Sequence, residues 1–132
     1  MDRSQVLLVD DNQALLGAFT DTLRQEGYLV QSAISGDVAL ALLQQRMPFE
    51  LLITDIFLPG QLDGFALARW AREFRPGIPI IYSTGYPQVA HIRAHNAPYG
   101  EIFEKPWKLD AMLTAISTAL APRPWERVAE RR

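Results

Sequence analysis

Length, composition and charge restrict what this chain can be. Its 132 residues suffice for one domain, which buries roughly 70% of its unfolded surface without disulfides. The absence of cysteine excludes disulfides and thiolate metal sites, and fits a reducing cytoplasm. A formal net charge of −2 supplies no overall field for binding nucleic acid. No apolar run approaches the roughly 18 residues of a membrane span, and the amino terminus enters a predicted strand directly, which argues against a signal peptide.

The first half of the chain alternates apolar runs with segments of helical period, which predicts a repeated strand–helix fold. A strand at about 5–10 is followed by a helix that Asn12 can cap. Gly27 suits the carboxyl end of that helix, before a strand at about 28–33 and a helix at about 35–45. The inward faces of the two helices are predicted to carry Leu15, Leu16, Phe19 and Leu23, and then Val38, Ala39, Leu42 and Leu43.

The second half continues the alternation, with strands predicted at about 50–55, 78–83 and 101–105. A helix should begin near Asp63-Gly64 and stop at Pro76-Gly77. The polar segment 88–97 predicts a short or mobile fourth helix, and 107–120 predicts the last one. Helical spacing places these residues on the inner faces of the third and last helices: Phe65, Ala68, Ala71 and Phe74, and then Leu109, Met112, Leu113, Ile116 and Leu120.

Four of the predicted strands end in residues of complementary chemistry, which are Asp10-Asp11, Asp55, Thr84 and Lys105. In open parallel sheets, sites form at the carboxyl ends of the strands. Three converging carboxylates repel one another and need protons or a cation, and oxygen-only ligands favour Mg²⁺. A hydroxyl and an ammonium would hold the remaining oxygens of a phosphoryl group, with Asp55 as the nucleophile.

These residues make the chain resemble the receiver domain of two-component response regulators. The resemblance covers about residues 4–121, followed by a basic tail at 122–132 that we expect to be mobile. It implies an α/β, flavodoxin-like, doubly wound sheet of five parallel strands in the order 2-1-3-4-5, with helices on both faces. The matching stretches are Leu7-Leu8-Val9-Asp10-Asp11-Asn12, Thr54-Asp55-Ile56-Phe57-Leu58-Pro59-Gly60, Asp63-Gly64, Ser83-Thr84-Gly85 and Glu104-Lys105-Pro106.

By matching position, the resemblance implies a metal site for Mg²⁺. Asp11 and Asp55 would be direct ligands, the backbone carbonyl of Phe57 would be a third, and Asp10 would hold the ion through water. Asp55 would also be the phosphoacceptor.

The resemblance also implies that Thr84 and Lys105 serve phosphoryl transfer. Thr84 would follow the phosphoryl group, and Lys105 would pair first with the Asp55 carboxylate and then with the phosphate. The Lys105–Pro106 peptide bond is expected to be cis, as in the family.

The expected function is a cytoplasmic signalling switch that catalyses only its own phosphorylation and dephosphorylation. It would accept phosphate from a sensor histidine kinase or a histidine phosphotransfer protein and act on a downstream protein target. Binding to nucleic acid or membrane is not expected, and a homodimer is left open.

Two alternatives come from other classes of protein. An aspartyl-phosphate phosphatase of the haloacid-dehalogenase type also uses Asp, Thr and Lys with Mg²⁺, but it carries a second Asp where this chain has Phe57. A phosphate-independent binding module on a receiver scaffold would have no need of the complete set of site residues.

The chain departs from the family pattern in three places, one of which is the polar stretch 88–100, interrupted by Pro98. Gly60-Gln61 lengthens the loop after the third strand by one residue relative to many receivers. Ile102 stands where receivers usually carry an aromatic residue, and Phe103, one place later, should point to the opposite face of the sheet. His91 and His95 lie one helical turn apart but lack a third ligand. Trp70 and Trp107 are interpreted as packing residues, and Trp125 as either a packing residue or a contact for a partner or second copy.

Overall fold

The computed structural model describes residues 4–122. Its core is one parallel sheet whose strands lie in the order β2-β1-β3-β4-β5. This confirms the predicted order and the flavodoxin-like fold. The strands are β1 (Gln5–Val9), β2 (Leu29–Ala33), β3 (Leu51–Asp55), β4 (Ile80–Thr84) and β5 (Glu101–Glu104).

Four helices connect the strands and a fifth follows β5. The predicted amino-terminal cap of the first helix is present, and the second and third helices are capped in the same way. The side chains of Asn12, Ser35 and Asp63 each accept a hydrogen bond from a backbone N–H three residues on. Gly27, with φ +98°, follows the end of the first helix as predicted. The helices are α1 (Gln13–Gln25), α2 (Gly36–Gln44), α3 (Gly64–Phe74), α4 (Pro87–Arg93) and α5 (Leu109–Leu120).

Side chains alternate along the strands and form one apolar core on each face of the sheet. Leu7 and Leu52 lie in the first core, and Val6 and Ile53 lie in the second. Ile102 packs against the first core and Phe103 against the second, which confirms that they face opposite sides.

Three residues predicted to face inward are in fact exposed: Leu15 by 50%, Val38 by 43% and Leu109 by 44%. Helical spacing identifies the apolar side of a helix, but only part of that side contacts the sheet. Leu15 and Leu109 lie at the edge of the apolar side of their helices and line a cavity described below.

The fourth helix is short, as predicted, and continues into a single 3₁₀ turn at Ala94–Asn96. The following loop is held by the Tyr82 hydroxyl, which donates to the Pro98 carbonyl at 2.8 Å. Over residues 4–122, no helix combines the length and apolar character needed to cross a lipid bilayer.

Candidate functional site

Three carboxylates meet at the carboxyl edge of the sheet. Asp55 is the last residue of β3, and Asp10 and Asp11 directly follow the adjacent β1. One oxygen from each side chain lies within 4.8 Å of the others. Asp55 is buried and Asp11 is exposed, so the cluster runs from the protein interior to solvent.

Lys105 supplies the positive charge at this cluster. Its ammonium lies 3.1 Å from Asp10 Oδ2, and it lies 2.8 Å and 2.9 Å from the two Asp55 oxygens. The backbone N–H of Lys105 donates to the Thr84 carbonyl at 2.8 Å, which fixes the end of β5 against β4. The Lys105–Pro106 peptide bond is cis, as predicted.

Burial and the positive charge of Lys105 shift the pKa of Asp55 in opposite directions. Removal from water is the largest effect and raises the pKa of this carboxyl to about 7, although Lys105 opposes the rise. Burial alone would lower the pKa of Lys105, but its bonds and charge interactions with Asp55 and Asp10 raise that pKa instead. Burial therefore favours the protonated form of Asp55 more than water does, and the neighbouring carboxyls favour the charged form of Lys105.

Thr84 ends β4 at the same edge of the sheet. Its side chain is buried, and its hydroxyl oxygen accepts a hydrogen bond from the Tyr86 N–H at 2.9 Å. Its neighbour Ser83 pairs in register with Asp55. Thr84 is thus close to the carboxylates in the sheet, with its hydroxyl engaged by the loop that follows.

Phe57 and Tyr86 form an aromatic pair beside the site. Their ring centres are 5.9 Å apart, with the planes at 75°, and the guanidinium of Arg93 lies 5.3 Å from the centre of the Phe57 ring. The two loops that follow β3 and β4 are therefore joined by an edge-to-face contact.

The donor set fits a hard divalent cation. It consists of carboxylate oxygens, which Mg²⁺ prefers. Asp55 Oδ1 is buried and, although close to Lys105, accepts no hydrogen bond of good geometry. A buried oxygen without such a bond is available to a ligand. His91 and His95 are outside the one group of three or more metal-ligating side chains found among residues 4–122.

An apolar cavity of about 520 Å³ adjoins the carboxylates between α1 and the loop after β5. Its wall includes Leu15, Phe19 and Trp107. The Trp107 ring packs on Phe19, with centres 4.9 Å apart, which confirms Trp107 as a packing residue. Its indole N–H also donates to the Ser83 hydroxyl at 3.0 Å. Sequence reasoning missed this bond, because Trp107 lies beyond β5 and only the folded chain brings it to Ser83.

Trp125 and the arginines of the predicted tail lie outside the described residues.

Comparisons with known proteins agree with this architecture. The family model described as "Response regulator receiver domain" matches residues 6–117. The chain is 33% identical over 117 residues to the response regulator receiver protein CpdR of Brucella abortus, covering 88% of this chain and 96% of that protein. It is also 32% identical to the response regulator protein FleR of Pseudomonas aeruginosa, but there it spans 24% of the relative. The chain thus matches one relative nearly end to end and a quarter of another.

Solved structures show the same likeness. A response regulator receiver protein from Sinorhizobium medicae superposes with a TM-score of 0.82 at 34% identity, covering 90% of this chain and 95% of that one. A CheY-like receiver domain protein from Methanospirillum hungatei superposes with a TM-score of 0.77 at 30% identity, covering 90% and 94%. The chain belongs to the response regulator receiver domain family of two-component systems.

Proposed function

We propose that the chain is a phosphoacceptor switch in which Asp55 takes a phosphoryl group from a phosphohistidine. The observation that carries this proposal is the convergence of Asp10, Asp11, Asp55 and Lys105 at one edge of the sheet. An Asp55 oxygen bonds to phosphorus while the phosphorus–nitrogen bond of the phosphohistidine breaks. The electron pair of that bond returns to the imidazole. This reaction requires positioning and charge neutralisation more than covalent assistance.

Mg²⁺ is the proposed cofactor. Asp11, Asp55 and the Phe57 carbonyl would hold it directly, and Asp10 would hold it through water. When bound, the ion neutralises the carboxylates and the oxygens of the transferring group.

Lys105 and Thr84 are the proposed partners of the phosphoryl group. Lys105 already lies against Asp55 and could transfer its hydrogen bonds to a phosphoryl oxygen on the same side chain. Thr84 would release the Tyr86 N–H in order to turn its hydroxyl toward the phosphate. The charge of about −1.5 to −2 added at Asp55 would thus act on the loops after β3 and β4.

The proposed partners are a sensor histidine kinase or a histidine phosphotransfer protein upstream, and a protein target downstream. Several large apolar side chains stand exposed on and after α4, including Ile92 at 78% and Tyr99 at 87%. They offer a surface for protein contact near the loops that phosphorylation would alter. A cytoplasmic location accompanies this role, binding to nucleic acid or membrane is not proposed, and a homodimer is an alternative use of the surface.

The geometry favours this function over the two alternatives. A phosphatase of the haloacid-dehalogenase type needs an acid–base carboxyl two residues after the nucleophile. Here Phe57 occupies that place, with its ring against Tyr86. A phosphate-independent binding module would not need a lysine poised between two buried or half-buried carboxylates, since burying such charges is costly.

Intact-mass analysis with a small phosphodonor and Mg²⁺ tests the proposal. The native chain should gain one phosphoryl group, and Asp55→Asn should gain none. Asp21→Asn, which removes an exposed carboxylate on α1, is the matched control and should behave as the native chain. Beryllofluoride with Mg²⁺, which mimics the acyl phosphate, should raise the melting temperature of the native chain but not that of Asp55→Asn. Phosphorylation that persists in Asp55→Asn, or that is unchanged when a chelator removes Mg²⁺, would contradict the assignment.

A further inference from the structure

Trp107 is hydrogen-bonded to β4, the strand that lies next to Asp55 in the sheet. Its indole N–H donates to Ser83 Oγ at 3.0 Å, and Ser83 is buried in β4. Ser83 pairs in register with Asp55 on one side and with Phe103 on the other. A residue two places after Lys105 is therefore tied to the strand that runs beside the proposed phosphoacceptor.

The segment that carries Lys105 has a second attachment to the same strand. The backbone N–H of Lys105 donates to the Thr84 carbonyl at 2.8 Å. The Trp107 ring is also held from the other side by Phe19 of α1, with ring centres 4.9 Å apart. The chain on both sides of Pro106 is thus anchored to β4, and the Lys105 side chain starts from a fixed backbone.

Lys105 needs such an anchor for its proposed role. A lysine side chain has four rotatable carbons and a point charge, so its position depends on where its backbone is held. Its ammonium must lie between Asp10 and Asp55 before transfer and at a phosphoryl oxygen afterwards. Small errors in the placement of a reacting group lower the rate strongly, by up to roughly a hundredfold for 1 Å.

We propose that Trp107 is a positioning residue for phosphoryl transfer, and that its hydrogen bond to Ser83 holds Lys105 over the carboxylates. The inference rests on the proposed function of Asp55 and adds a residue pair to that same site. Trp107 acts through Lys105, since its indole N–H bonds to Ser83 and not to a carboxylate. A partly buried indole N–H without an acceptor is unfavourable, which keeps the bond to Ser83 formed.

Either of two substitutions removes this hydrogen bond, one at the donor and one at the acceptor. Trp107→Phe keeps a ring against Phe19 and removes the donor, and Ser83→Ala removes the acceptor. With a small phosphodonor and saturating Mg²⁺, each should slow phosphorylation of Asp55 by roughly tenfold. The double variant should be no slower than the single ones, because both remove the same bond.

The decisive comparison is made in the Lys105→Ala background. If Trp107 acts through Lys105, then adding Trp107→Phe or Ser83→Ala to Lys105→Ala should cause no further loss of rate. The affinity for Mg²⁺ should stay at the native value in both single variants, since neither substitution changes a proposed ligand of the ion. Trp70→Phe, on the exposed side of α3, is the matched control and should leave the rate unchanged.

Several outcomes would overturn the inference. A native rate in both Trp107→Phe and Ser83→Ala would do so. An equal slowing of these variants with and without Lys105, or a parallel loss of Mg²⁺ affinity, would show that the pair only supports the fold. If Trp107→Phe does not fold, Ser83→Ala gives the same comparison with a smaller change. A native chain that is not phosphorylated at Asp55 would instead reject the proposed function, and this inference with it.

Discussion

The Lys105 ammonium lies between both oxygens of Asp55, 2.8 Å from Oδ1 and 2.9 Å from Oδ2. It also reaches Asp10 Oδ2 at 3.1 Å. One cation thus connects two carboxylates at the ends of neighbouring strands. A phosphodonor or a metal ion that binds Asp55 therefore meets a carboxylate already paired with a cation.

Lys105→Ala should therefore separate metal binding from switching. Removing a positive charge beside carboxylates does not weaken their attraction for Mg²⁺, so the affinity should be unchanged or higher. Phosphorylation of Asp55 should slow by on the order of a hundredfold, because a charged donor to the phosphoryl group is lost. Titration calorimetry and intact-mass kinetics measure the two effects. Lys108→Ala is the matched control, and a clear loss of Mg²⁺ affinity in Lys105→Ala would mean that Lys105 is structural.

The raised pKa of Asp55 predicts a specific dependence of stability on pH. Because burial moves this pKa upward from 3.8 to about 7, ionising Asp55 opposes folding. In Mg²⁺-free buffer, the free energy of unfolding should fall as the pH rises through this range. The fall should be absent in Asp55→Asn, so the difference between the two proteins is the quantity to measure by chemical denaturation. Adding Mg²⁺ should stabilise the native chain more above pH ~7 than below pH ~5, because the ion binds the carboxylate form. A difference that stays constant with pH would contradict this prediction.

Phe57 and Tyr86 predict a long-lived acyl phosphate. Hydrolysis needs a water molecule in line with the bond from Asp55 to phosphorus, and these two rings meet edge to face beside the site. Phosphate loss from the native chain should therefore be several-fold slower than from Phe57→Asn with Tyr86→Glu. Decay of the phosphorylated mass over time measures it, with Mg²⁺ affinity as a control that should change little. Equal decay rates would show that the rings do not shield the site, as expected if the loop lengthened by Gly60-Gln61 lets them swing away.

Gly64 allows the start of α3 to pack closely against the backbone of Asp55 and Ile56. A Cβ atom there would lie 2.1 Å from the Asp55 carbonyl oxygen, and the Gly64 N–H donates to the Ile56 carbonyl at 2.7 Å. Gly64→Ala should destabilise the protein by about 2 kcal/mol or more, because backbone must move. Gly17→Ala in α1 should stabilise it by up to about 1 kcal/mol, since apart from its chain neighbours and its own helix backbone nothing lies within 4 Å of the new Cβ. Thermal and denaturant unfolding compare the two, and equal stabilities would refute the contact.

Sequence alone determined the alternation of strands and helices, the cap of α1 at Asn12 and the opposite facing of Ile102 and Phe103. These features depend on local patterns, such as apolar runs, cap residues and the two-residue period of a strand. The order of the strands followed from the resemblance to receiver domains, because local patterns do not define it. Asp10, Asp11, Asp55, Thr84 and Lys105 could be selected as site residues because parallel strands bring their carboxyl ends to one edge.

Tertiary structure decided what those patterns leave undefined. The link from Lys105 to Asp10 spans residues 95 positions apart in sequence, and its distances depend on how β5 lies against the sheet. The bond from Trp107 to Ser83 likewise depends on where the chain runs after β5. Leu15 and Leu109 have the spacing of core residues, yet they line an open cavity beside the carboxylates. Periodicity gives the direction of a side chain from its own helix, whereas burial depends on which other element covers it, and only the folded chain brings that element into place.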